Sequence, residues 1–97
     1  MAQPRRQNNV TLLPDGKVFA TGGSSAPGFN DESGAVYSAE MWDPSTGLWT
    51  PMASFEVYRG YHSTALLLPD GRVLSSGGDG EPNAEVYSPP YTTGENF

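Results

Sequence analysis

The chain predicts an all-β fold assembled from a repeated unit of antiparallel strands. Three observations point there: apolar runs too short for helices, glycines and prolines spaced as punctuation between those runs, and a block of sequence that occurs twice. The 12 Gly and 9 Pro among 97 residues lie just below the share, roughly 25–30%, at which low-complexity disorder becomes the default expectation. Because they separate apolar segments instead of clustering, and 36% of the residues are hydrophobic, a folded and turn-rich chain is expected. Its length suits one small domain with a modest core.

The duplication organises the rest. Residues 12–23 read LLPDGKVFATGG and residues 67–78 read LLPDGRVLSSGG, identical at eight of twelve positions and 55 residues apart. A second block, AEMWDP at 39–44, returns as AEVYSP at 84–89, 45 residues later. Spacings of this size are typical of propeller-type repeats. The ten extra residues of the first copy fall in SSAPGFNDESGAVYS, a polar stretch that reads as a long surface loop.

Each copy reads as strands in order. Residues 10–13 and 65–68 are apolar runs of strand length. The Pro-Asp-Gly triplets at 14–16 and 69–71 are tight turns: proline presets φ, aspartate bonds nearby backbone, and glycine supplies positive φ. Residues 17–21 and 72–76 form the return strands of hairpins. Gly22-Gly23 and Gly77-Gly78 end them where backbone comes close or turns sharply. A third strand follows within AVYSAEMWDP (35–44) and within NAEVYSPPY (83–91). Only the first copy continues clearly, through the turn DPSTG into a fourth strand, LWTPMAS, at 48–54. Pro51 places that strand at an edge, because proline cannot donate to a ladder. The expected organisation is therefore about 1.75 four-stranded units within residues 1–97, one at about 5–57 and an incomplete one at about 58–97.

Composition removes several function classes. The formal net charge of −6 supplies no basic footprint for nucleic acid or an anionic membrane. The sequence contains no cysteine, so disulfides, thiolate metal sites, a cysteine nucleophile and any cysteine-derived cofactor cannot form within it. No stretch approaches the 18 apolar residues of a membrane span, and the leader MAQPRRQNN lacks the apolar segment of a signal peptide. Arg5-Arg6 is the only basic pair and reads as a strand-start feature. Asn9-Val10-Thr11 fits a glycosylation sequon but lies in a strand expected to be buried.

A hairpin ending in Gly-Gly, then Ala-Glu-x-aromatic, then a turn and Trp49, resembles the kelch repeat, the blade of a β-propeller. The longer strings RRQNNVTLLPDGKVFATGG, AEMWDPSTGLWTPMAS and RGYHSTALLLPDGRVLSSGGDGEPNAEVYSPPY resemble the last blades of galactose oxidase and glyoxal oxidase-like proteins, over residues 5–91. That family consists of secreted copper-radical oxidases, which oxidise primary alcohols or aldehydes with O2 and release peroxide. Their copper is held by two tyrosines and two histidines, and one tyrosine is cross-linked to a cysteine. The resemblance makes Tyr61 and His62 the candidate copper ligands, and a phenolate and a neutral imidazole both suit Cu(II). It also implies copper as the parent family's cofactor and a carbohydrate as a possible partner.

The departures are as informative. With no cysteine and a single histidine, the chain offers two of four ligands and no cross-linked tyrosine; in the family the second histidine lies in a domain beyond the propeller. No bound cofactor and no turnover are expected of the chain alone. A purely structural role for Tyr61-His62 at the start of a blade stands beside the metal reading, although Arg6-Gln7 occupies the equivalent place in the first copy. Trp42 and Trp49 are expected in the blade core, Glu40 and Glu85 as acceptors between blades, and the acidic stretch Asn30-Asp31-Glu32 as solvated surface, not a Ca2+ loop. Fewer than two blades cannot close a ring of about 4–8, and open strand edges template further pairing, so self-association is expected. The alternatives to an oxidase segment are a kelch scaffold that binds protein or glycan, and a structural piece of a propeller assembly.

Overall fold

The computed structural model describes residues 1, 3–28, 30–78 and 80–89. Seven strands form two antiparallel sheets. The first runs in the order β1 (Asn9–Leu12), β2 (Val18–Thr21), β3 (Ser38–Asp43) and β4 (Leu48–Ser54). The second contains β5 (Ser63–Leu67), β6 (Val73–Gly77) and β7 (Ala84–Tyr87). One 3-10 turn, Glu32–Gly34, interrupts the loop between β2 and β3. Every strand expected from the sequence is present, β4 with the expected bounds and the others shifted by up to three residues at an end. The exception is the tail of the last predicted strand, which extends to residue 91 and so partly lies outside the described residues.

The repeated turn is the same object twice. Gly16 N donates to Leu13 O at 3.0 Å and Lys17 N to Asp15 Oδ1 at 3.1 Å. Gly71 N donates to Leu68 O at 2.9 Å and Arg72 N to Asp70 Oδ1 at 3.0 Å. Both glycines take left-handed φ, +88° and +91°, which costs a residue without Cβ nothing. β4 is the edge strand that Pro51 demands: Pro51 faces Glu40 next to a register shift between Ser38 and Glu40.

The two sheets stack face to face, and the core lies between them. It consists of Leu13, Phe19, Ala39, Met41 and Phe55 on one side and Val73 and Tyr87 on the other, with Met52, Ala65 and Leu67 packed against it. Phe19 stacks on Tyr87 with ring centroids 4.4 Å apart and planes inclined by 19°. The strands β1 and β5 also meet, where Asn9 Nδ2 donates to Ser63 Oγ at 3.0 Å. The sequon asparagine is thus half-buried and already hydrogen-bonded, while its neighbour Val10 points outward.

Trp42 and Trp49 depart from expectation. They face each other across β3 and β4, with centroids 6.4 Å apart, but on the outer face of the first sheet and only half-buried. The alternation of a strand explains this: Ala39 and Met41 point into the core, so Trp42 must point away from it. Its repeat counterpart Tyr87 is buried, because the equivalent face of the second sheet is the one covered by the first.

The glutamates also act differently. Glu40 and Glu85 each accept within their own sheet, from an arginine that precedes its first strand. Arg5 Nη2 reaches Glu40 Oε2 at 2.8 Å and Arg59 Nη2 reaches Glu85 Oε2 at 3.1 Å. The arginines complete matching sets: Arg5 donates to Gly22 O and Ser38 O, and Arg59 to Gly77 O and Asn83 O. A buried guanidinium is tolerated because its Nη donors meet a carboxylate, a carbonyl at the Gly-Gly strand end and a carbonyl at or just before the start of the third strand. Glu85 adds one link beyond its sheet, accepting from Glu56 N at 2.9 Å in the connector.

Candidate functional site

The chain enters the second sheet through Arg59-Gly60-Tyr61-His62. Arg59 is buried and holds the segment from below with the bonds given above, to which Nη2 adds Asn83 Oδ1 at 2.9 Å. Ser63 N donates to Gly60 O at 3.0 Å and closes a tight turn. His62 stands at its corner with φ +68°, in the left-handed region uncommon for residues with a Cβ. Gln7, 55 residues earlier and at the equivalent place of the first repeat, has φ +60°. The backbone turn therefore belongs to the repeat itself; the second copy differs in carrying a phenol and an imidazole on it.

Tyr61 and His62 are both exposed, and their rings lie 3.7 Å apart at 34°. Neighbouring polar groups converge on the same turn. Asn30, from the long loop of the first repeat, accepts from Tyr58 Oη at 2.7 Å and from Tyr61 N at 3.0 Å. Burial, with the nearby Glu32 and Asp31 carboxylates, pushes the Tyr58 phenol above its ordinary value. The loop is anchored in turn: Ser24 bridges Arg6 and Ala35, and its Oγ donates to Asp31 O at 2.6 Å. Asp31 caps the 3-10 turn by accepting from Ser33 N and Ser33 Oγ, which lowers its pKa. The acidic stretch is thus used for local structure.

The donor set fits part of a copper site. An exposed phenol and an imidazole on adjacent residues are suitable types for Cu(II), and one turn carries them both. Among the described residues no group of three or more His, Cys, Asp and Glu side chains gathers at one point. A cleft of about 200 Å³, lined by Lys17, Met41, Asp43, Thr50 and Met52, lies at the opposite ends of the strands and does not adjoin the pair. The sequence singled out Tyr61 and His62 by resemblance but missed Asn30, Tyr58 and Gly60. The 54-residue spacing of Arg5 and Arg59 could have revealed the shared anchor.

Comparison with known proteins identifies the family and the fold. Residues 5–56 match the Kelch motif. Galactose oxidase of Gibberella zeae is 35% identical over 99 residues, covering 95% of this chain and 15% of that protein. An aldehyde oxidase, GLOX, of Vitis pseudoreticulata is 36% identical over 78 residues, covering 75% of this chain and 15% of its own length. A fungal alcohol oxidase of the AA5 family, solved in complex with copper, superposes with a TM-score of 0.86 at 32% identity, over 94% of this chain and 21% of that one. The chain thus spans about 15% of the length of these curated relatives. The chain belongs to the kelch-motif family, and its repeats, relatives and structural likeness make it a galactose oxidase-like kelch segment.

Proposed function

We propose that this chain is the part of a copper-dependent alcohol or aldehyde oxidase propeller that contributes Tyr61 and His62 to the metal, with a blade boundary near residue 57, and that it does not turn over substrate alone. What supports this most is the exposed Tyr61–His62 pair on a left-handed turn, in a chain similar along most of its length to a copper-bound oxidase. Bound there, copper would supply one of the two oxidising equivalents that a primary alcohol or aldehyde requires, with a cysteine-linked tyrosine outside this sequence as the other and O2 as the final acceptor. His62 would supply a neutral imidazole nitrogen and Tyr61 a phenolate oxygen, while Arg59 and Asn30 hold the turn that carries them. A second imidazole and a cysteine-linked tyrosine have to come from outside this sequence, which has one histidine and no cysteine. An extracellular location follows from the same family reading.

Equilibrium dialysis against Cu(II) tests the assignment. His62→Ala is expected to weaken uptake by more than the ~10–100-fold typical of losing an outer-shell partner. Equal uptake by the variant would remove the half-site. The copper-loaded chain is expected to release no peroxide from galactose or another primary alcohol, and sustained release would contradict its inactivity alone.

A second reading concerns partners. We propose that copies of the chain stack head to tail. The internal sheet–sheet interface joins Thr11, Leu13, Phe19 and Met41 of one repeat to Ala65, Leu67, Val73 and Tyr87 of the other. The repeat counterparts of the second set, Val10, Leu12, Val18 and Trp42, line the open face of the first sheet. The counterparts of the first include Leu66, Leu74 and Val86, on the open face of the second. Leu12 is 67% and Leu66 59% exposed. The chain is thin, 16 Å in its smallest extent, so both faces lie one layer from the core. Each face is of the type the other accepts, which favours a heterologous contact between copies and places Trp42 under a neighbour, not a sugar. Light scattering on a sizing column is expected to give a discrete oligomer, reduced to monomer by Leu66→Asp. A monomeric parent chain at tens of micromolar would remove this reading.

A further inference from the structure

Asn30 brings together three segments that are distant in sequence. Its side-chain oxygen accepts from Tyr58 Oη at 2.7 Å and from Tyr61 N at 3.0 Å. Its backbone N donates to Gln7 Oε1 at 2.7 Å, and Gln7 is the repeat counterpart of His62, on the same left-handed turn. Asn30 itself has φ +50°, a conformation that asparagine tolerates better than most residues. Gly60 makes room for the cluster: a Cβ there would strike Tyr58 Oη and lie 2.7 Å from Asn30 Oδ1. An amide oxygen carries two lone pairs, so the Tyr58 and Tyr61 bonds coexist without competing.

We propose that Asn30 is a positioning residue, a latch by which the long loop of the first repeat fixes the direction in which Tyr61 and His62 face. The loop is held by its own bonds through Ser24 and Asp31, so it offers a firm anchor and not a drifting one. Loss of the Asn30 oxygen would remove that acceptor from both the Tyr61 N–H and the Tyr58 hydroxyl. For the metal, a role that rests on the copper half-site reading above, the latch acts as an outer-shell partner: it touches no metal but sets the geometry of the side chains that would.

The test has one arm without copper and one with it. By hydrogen exchange, the Tyr61 amide is expected to lose protection about tenfold in Asn30→Ala, the worth of one hydrogen bond. Protection is expected to return in Asn30→Asp, which keeps an acceptor oxygen. Unchanged exchange in Asn30→Ala overturns the latch. With Cu(II) followed by EPR, Asn30→Ala is expected to bind about tenfold or more weakly, with altered spectral parameters and an unchanged far-ultraviolet circular dichroism spectrum. If His62→Ala abolishes binding while Asn30→Ala binds with the parent spectrum, the positioning role is overturned and the half-site stands. If His62→Ala binds as the parent does, the half-site falls and the exchange arm alone decides the latch. Should Asn30→Ala fail to fold, Tyr58→Phe removes one donor and leaves the backbone intact; it is expected to shift Tyr61 exchange in the same direction, and no shift overturns the proposal.

Discussion

Arg59→Ala is expected to destabilise the chain by about 3–5 kcal/mol, the cost of breaking a buried ion pair by removing one partner. The guanidinium is 1% exposed and ties four acceptors together: Gly77 O, Asn83 O, Asn83 Oδ1 and Glu85 Oε2. Alanine would take the Arg59 donor from Gly77 O, leave Asn83 O with the Gly77 N–H at 3.2 Å, and leave Glu85, 24% exposed at its side chain, without its counter-charge. The loss concentrates where β6 ends and β7 begins, so the third strand of the second sheet should loosen first. Arg59→Lys is expected to recover less than half of the cost, since a point-like ammonium cannot reproduce a planar fork with five donors. Urea unfolding followed by circular dichroism measures both. A cost below about 1 kcal/mol, the level of an exposed surface pair, would show that this anchor does not hold the blade.

The second large effect is expected at Gly22. Its φ is +73°, and a Cβ there would strike the carbonyl oxygen of Arg59, the same oxygen that accepts from Gly23 N at 2.8 Å. Gly22→Ala thus adds left-handed strain, about 1–2 kcal/mol, to the displacement of a backbone that joins the two sheets, about 1–3 kcal/mol. Gly16 provides the control. Its φ is +88°, yet nothing lies within 4 Å of its would-be Cβ, so Gly16→Ala should cost the strain alone. Both are glycines with positive φ after an apolar strand; only their surroundings differ. Equal losses in the two variants would mean that the close approach of Gly22 to Arg59 does not constrain how the sheets dock.

Much of the fold was legible because its signals are local. Pro-Asp-Gly can be read as a turn without knowing what packs on it, and the duplicated block fixed the period before any strand was assigned. Pro51 marked an edge for the same reason: the missing donor is a property of the residue itself. Which face of a strand meets a neighbour is not local. Trp42 and Tyr87 occupy the same repeat position, yet one is half exposed and the other buried under Phe19, because the first sheet covers only one side of the second. Glu40 and Glu85 are expected between blades from kelch resemblance, whereas their arginine partners, 35 and 26 residues away in the chain, can be paired with them only in three dimensions. At the candidate site, Tyr61 and His62 stood out by resemblance. Their left-handed turn could be seen only by placing Gln7 beside His62 in coordinates. Asn30 reads from sequence only as part of a solvated acidic stretch, since a loop residue that bonds a segment 31 positions later follows no period.

The half-site is tested most directly by EPR of the chain loaded with substoichiometric Cu(II), prepared with and without 15N-labelled histidine. Coordination by His62 predicts superhyperfine coupling to an imidazole nitrogen, a splitting that changes with the label and disappears in His62→Ala. A spectrum of aquated copper, or one that neither the label nor the substitution alters, would contradict the assignment of Tyr61–His62 as a copper half-site.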